Sequence, residues 1–162
     1  MAATRNPIDQ NSAILLVKGH RYEDFKVGRV FEHSQQKTIL DSENALFTTL
    51  TLHYNPIYLD RTRAVSLGNR DIVINPLLVF NLVFGLSVED LSEGGGPFLG
   101  IENLEYGARV FSGDTLRARS TVIAARLSRK HDSYGIVTWE TEGFNQVDER
   151  VIKYRRSNLV KR

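Results

Sequence analysis

The sequence predicts an α+β domain in which one apolar helix is enclosed by an antiparallel sheet, and three observations lead there. From Ile72 to Leu91, Pro76 opens a stretch in which Leu77, Leu78, Val79, Phe80, Leu82, Val83, Phe84, Leu86 and Val88 are apolar on nearly every side. A helix that is apolar all round is a helix covered all round. At about 15 residues it falls short of the roughly 20 that cross a bilayer. Gly94-Gly95-Gly96-Pro97 then breaks the chain, and four strand-like runs follow at 98–106, 115–127, 134–144 and 150–160. The short separators Ser112-Gly113-Asp114, 129–133 and Val147-Asp148-Glu149 make consecutive antiparallel pairing the expected topology. The sheet is then what wraps the helix.

The other elements follow in order. Residues 1–20 are expected to form a loosely structured lead-in with one apolar patch, Ile14 to Val17. Val30, Phe31, Thr38 and Ile39 are β-formers, so 30–40 is expected as a single strand. Asp41 and Ser42 are N-cap candidates, Glu43 suits a first helical turn, and Ala45, Leu46, Leu50 and Leu52 have helical spacing up to the stop at Asn55-Pro56. A short helix over 61–67 ends at Gly68 in the C′ position. Pro76 suits the first turn of the apolar helix, where its missing N–H is not needed. In the run 134–144, Val137, Trp139 and Thr141 alternate with Thr138, Glu140 and Glu142, which predicts one buried and one wet face.

The whole chain, 1–162, is expected to be one domain. A net charge of +2 gives little support to nucleic-acid binding. It leaves room for a local basic patch that would take a polyanionic small molecule, such as a nucleotide-bearing thioester. The absence of cysteine excludes disulfides, thiolate zinc sites and a Cys nucleophile, and no metal is expected. The opening MAATRNPIDQNSA lacks the basic-then-apolar layout of a signal peptide, and no apolar run is long enough for a membrane span. The expectation is a cytoplasmic protein without membrane or nucleic-acid partners.

Four runs carry a resemblance. Tyr22-Glu-Asp-Phe-Lys-Val-Gly28 resembles the opening of the MaoC-like (R)-hydratase/dehydratase family. Tyr54-Asn55-Pro56-Ile57-Tyr58-Leu59-Asp60 resembles its hydratase motif of Asp, any residue, Asn, Pro, an aliphatic residue and His. Ile72 to Ser87 resembles its overhanging loop and central helix. Val110-Phe-Ser-Gly-Asp-Thr-Leu116 resembles its turn into the third strand. Phe84-Gly-Leu-Ser-Val-Glu-Asp90 and Ile74-Asn-Pro-Leu77 look most similar to the mesaconyl-CoA/itaconyl-CoA hydratase branch. The resemblance implies the hot-dog fold, a sheet wrapped around a central helix. It also implies hydration of an enoyl-CoA or the reverse, on a short, branched or dicarboxylic acyl-CoA. The coenzyme A thioester is the substrate and no cofactor is implied. The expected assembly is a homodimer or a hetero-oligomer with another hot-dog chain.

The family's catalytic positions are substituted. His53 stands at the Asp position, Tyr58 at the His position, and Pro76, following Asn75, at the glycine whose N–H polarises the thioester carbonyl. Proline has no N–H to give. One reading makes His53 a general base and Tyr58 an acid or water-orienting group, with Asn55 shaping the turn. Asn75, Pro76 and the N–H groups of Leu77 and Leu78 then hold the carbonyl. The other makes the chain a non-catalytic partner subunit or acyl-CoA-binding module that needs a catalytic mate. Each residue also has a plain structural use: His53 and Tyr58 as packed rings, Asn55 as a turn residue, Asn75 as an N-cap, and Asn81 bonding a strand or a mate. Two basic groups, Arg155, Arg156 and Lys161 and Arg126, Arg129 and Lys130, are candidates for phosphate contacts or for a charged sheet edge.

Overall fold

The computed structural model describes residues 19–162. Of the expected lead-in only Gly19 and His20 belong to these; the rest lies outside the described residues. Six strands, β1 (Val30–Glu32), β2 (Lys37–Thr38), β3 (Phe98–Tyr106), β4 (Thr115–Leu127), β5 (Tyr134–Phe144) and β6 (Arg150–Lys161), build one antiparallel sheet. Its order is β1-β4-β5-β6-β3, with β2 also on β4. Four helices, α1 (Asp41–Leu50), α2 (Arg61–Ser66), α3 (Pro76–Leu86) and α4 (Val88–Leu91), lie between β2 and β3. No helix among the described residues is long and apolar enough to cross a membrane.

The meander forms through β4, β5 and β6, but β3 pairs with β6 rather than with β4. The reason is the stretch 107–114. It does not close a hairpin but runs under the sheet, with Val110 buried and Phe111 bridged to Val73. The single strand expected over 30–40 is also interrupted. His33 turns into the interior, where Nδ1 meets Asp90 Oδ2 at 2.6 Å and Nε2 meets Ser120 Oγ at 2.8 Å. That inward turn separates β1 from β2 and ties both to α4. The α1 cap sits one residue earlier than expected, at Leu40. Its N–H donates to Glu43 Oε2 at 2.9 Å, and Asp41 is the first helical residue. Gly68 does follow α2 with φ +81°.

α3 stands on the concave face of the sheet. Leu78, Val79 and Val83 pack with Ile74, Leu116, Ala118, Val151, Ile152 and Tyr154. The helix comes down so close that a Cβ on Gly143 of β5 would lie 2.6 Å from Val83 Cγ2. Beyond its C-terminal end, Trp139, Val122, Val137 and Phe25 form a second cluster. The expected alternation in β5 is present, with Val137, Trp139 and Thr141 buried. The expectation of burial on every side of α3 is not met within this chain. Leu77, Asn81 and Gly85, spaced by four, form an exposed stripe. Asn81 reaches no strand and instead donates to the Leu77 carbonyl oxygen at 2.7 Å. One sheet covers one side of a helix, so the apolar surplus on the other side faces outward.

Candidate active site

The site region grows out of two helix ends. At the end of α1, Leu52 adopts φ +56°. The His53 N–H reaches back to the Thr48 carbonyl at 3.1 Å, and the Leu52 N–H to that of Thr49 at 3.3 Å. These are the two bonds of a Schellman motif. The chain then passes through Asn55, whose Oδ1 accepts from the Ile57 N–H at 3.3 Å, into a single 3₁₀ turn over Pro56–Tyr58. The side chain of Tyr58 is thereby held against the start of α3.

Asn44 and Asn75 fasten these pieces together. Asn44 Nδ2 donates to the Tyr58 carbonyl at 2.8 Å and to that of Val73 at 3.3 Å, while its Oδ1 accepts from the Asn75 N–H at 2.8 Å. Asn75 is fully buried, with Oδ1 accepting from the Leu77 N–H at 3.0 Å and Nδ2 donating to Thr48 Oγ1 at 3.1 Å. Asn75 is therefore the N-cap of α3, and both ends of its amide are engaged inside the chain.

Pro76 and Tyr58 line a cleft of about 240 Å³ with Ile57, Val73, Ile74, Val79, Tyr106, Ala108, Arg109, Val110 and Val151. Burial pushes the Tyr58 hydroxyl above its ordinary value, and Arg109 pulls the other way. Tyr106 is likewise raised by burial, with Tyr58 adding to it. Arg109 is anchored by Nη1 donating to Asn69 Oδ1 at 2.5 Å, and Asn69 in turn donates to the Ala64 carbonyl at 3.0 Å. Gly107 is fixed as glycine, because a Cβ there would lie 2.1 Å from the Arg150 carbonyl oxygen.

Of the residues singled out in the sequence, Tyr58 and Pro76 reach the cleft and the others do not. His53 packs edge-on against the Tyr58 ring, centroids 5.5 Å apart, with Nδ1 buried and unbonded among the described residues. Asn55 and Asn75 serve the backbone. The expectation of free N–H groups on Leu77 and Leu78 is corrected. The former donates to Asn75 Oδ1, and the latter to the Asn75 carbonyl at 2.9 Å, because an N-cap satisfies the donors of the first turn. Arg109, Tyr106 and Asn69 were not marked by the sequence. The only trace of them is Tyr106-Gly107-Ala108-Arg109, a glycine and a cation just after a strand.

The basic groups also separate. Arg155 is engaged by Glu140 at 3.3 Å on the outer face. Arg156 points inward and is fully buried, its guanidinium 4.4 Å from the Phe84 ring and 3.2 Å from each of Ser87 Oγ and Ser92 Oγ. Burial pulls it down to about 10, so it remains a cation at the negative end of α3. Arg126, Arg129 and Lys130 form no ion pair with a described residue. They line a second cleft of about 410 Å³ with His131, Leu99, Ile136 and Leu159. Arg126, Ile136 and Leu159 lie on the outer sheet face and α3 on the other, so the two clefts open on opposite faces of the sheet, near opposite ends of β3.

Comparison with known proteins places this geometry. Residues 8–162 match the family model described as mesaconyl-CoA hydratase. A mesaconyl-CoA hydratase from Haloarcula hispanica is 35% identical over 146 residues, 90% of this chain and 41% of that protein. A MaoC domain protein dehydratase from Chloroflexus aurantiacus superposes with a TM-score of 0.86 at 34% identity, covering 93% of this chain and 42% of that one. A Mycobacterium tuberculosis protein with a double hot-dog fold superposes with a TM-score of 0.79 at 20% identity, over 91% of this chain and 46% of its own. The chain thus has the hot-dog fold and spans about two-fifths of the length of the curated relative. With the match running through the Tyr58 turn, the α3 start and the whole sheet, the chain belongs to the mesaconyl-CoA hydratase family.

Proposed function

We propose that this chain is the acyl-binding unit of a hydratase/dehydratase that adds or removes water across the 2,3 double bond of a short, branched or dicarboxylic acyl-CoA. It works beside a second hot-dog unit. The observation that carries this reading is the apolar cleft at the start of α3. There Tyr58, at the position of the family's His, faces Pro76. The chemistry calls for no metal or redox cofactor, since the thioester carbonyl itself acidifies the α-carbon. The acyl-CoA substrate and the cysteine-free composition suit the cytoplasm.

Three features call for the second unit. The helix-start N–H groups are consumed internally, so a carbonyl-polarising donor has to come from elsewhere. α3 keeps an exposed face, and β3 is an edge strand with most residues exposed. The curated relative is long enough for two such units. Antiparallel pairing of β3 with its counterpart in the second unit would continue the sheet across both units.

A second reading makes this chain catalytic by itself, with His53 as base. It is favoured by the unbonded His53 Nδ1 beside the Tyr58 ring. One pair of measurements separates the two. The full chain is titrated calorimetrically with mesaconyl-CoA, and the absorbance of the conjugated thioester is followed in parallel. Saturable binding without turnover is expected. Turnover by the chain alone that His53→Ala abolishes would establish the second reading. Absence of binding would overturn both.

A further inference from the structure

We infer that Arg109, with the hydroxyls of Tyr58 and Tyr106, forms a receptor for a carboxylate carried on the acyl group. This rests on the acyl-cleft reading above and names what that cleft selects. The cleft walls are aliphatic: Ile57, Val73, Ile74, Val79, Ala108, Val110 and Val151. Such walls alone suit a plain hydrocarbon chain. Three polar side chains converge on that lining, and all three suit an anion. Arg109 contributes a guanidinium, and Tyr58 and Tyr106 contribute hydroxyls that are unbonded to any described residue. All three line the same cleft.

Charge accounting points the same way. On the outer sheet face Arg119 and Arg150 are compensated by Glu142, Lys153 and Arg155 by Glu140, and Arg117 by Asp148. Arg109 has no carboxylate partner among the described residues. Its one bond, from Nη1 to the buried Asn69, fixes the direction of the guanidinium and leaves the remaining N–H donors available. A planar fork held on one side and open on the other matches a carboxylate bidentately. Neutral tyrosine hydroxyls add donors without adding charge. Arg109 is thus a specificity residue, and it takes no part in the proton transfers of the hydration.

The test is calorimetric titration of the full chain with two thioesters: mesaconyl-CoA, which carries the extra carboxylate, and crotonyl-CoA, which does not. The wild-type chain is expected to bind mesaconyl-CoA at least tenfold more tightly. Arg109→Leu should erase that preference by weakening mesaconyl-CoA, with crotonyl-CoA within about twofold. Arg109→Lys should retain part of it. Arg109 is exposed, and circular dichroism should show the fold intact in both variants. Equal weakening of both thioesters, or no weakening of either, overturns the inference. Wild-type binding of both without preference overturns it while the acyl-cleft reading stands. Binding of neither overturns that reading itself.

Discussion

At the scale of single residues, the turn that delivers His53 rests on a leucine in an unfavourable conformation. Leu52 has φ +56°, in the left-handed region where an L side chain costs about 1–2 kcal/mol. Its side chain is 73% exposed, so burial within the chain offsets none of this. Glycine is the usual occupant of that position in a Schellman motif. Leu52→Gly is therefore expected to stabilise the chain. After about 0.5–1 kcal/mol is returned to the more flexible unfolded chain, roughly 0.5–1 kcal/mol should remain. Thermal unfolding followed by circular dichroism should show a midpoint higher by about 2 °C. A lower midpoint would show that the leucine makes contacts that outweigh the strain. Backbone strain of this kind gathers at functional positions, and here it is one residue from the ring that packs on Tyr58.

At the scale of elements, α3 and the sheet define each other at Gly143. An added methyl would meet Val83 Cγ2 at 2.6 Å and Ile152 Cγ2 at 2.8 Å, both side chains of the packed core. Overpacking there should cost about 1–3 kcal/mol. Gly143→Ala is thus expected to lower the denaturant midpoint without changing the slope of the transition. Gly85→Ala, on the exposed face of the same helix with nothing within 4 Å, should raise the midpoint by stabilising the chain by up to about 1 kcal/mol. The opposite order would mean that α3 sits differently on the sheet. The same contact shows what the sequence could reveal. The apolar run after Pro76, the glycine break and the strand alternation are local signals, and each element they mark is present. The pairing of β3 with β6 and the inward turn at His33 depend on contacts 50 and more residues away, with Asn158 and with Asp90 and Ser120. No local pattern carries such contacts. The site divided in the same way. Tyr58 was legible through the motif around Asn55-Pro56, and Pro76 through the resemblance at 72–87. Arg109 and Tyr106 were not, because they come to the cleft from the far end of β3, across the fold from that motif.

At the scale of the whole molecule, exposed apolar side chains lie on α3 and on the sheet edge as well as on α1 and the turn after it. α3 exposes Leu77, and β3, the sheet edge, exposes Phe98, Leu99, Leu104 and Tyr106, each by about two-fifths to one half. An edge strand with free N–H and C=O groups and apolar side chains is a pairing surface unless it is blunted. β3 is interrupted by register shifts at 98–100 and 102–105, yet it carries no lysine or proline that would discourage a neighbour. A second hot-dog unit, as proposed above, would continue the sheet and cover the helix face at once. When the chain is the only protein supplied, the proposed second unit would be another copy of itself. Sedimentation equilibrium at micromolar concentration is then expected to return twice the chain mass. Phe98→Glu combined with Leu104→Lys, which places charge on the edge at two residues outside the buried core clusters, at the expense of the Phe98–Phe84 ring contact, should return the single-chain mass with the fold intact by circular dichroism. A wild-type chain that sediments as a monomer, or a charged variant that stays paired, would move the interface away from β3.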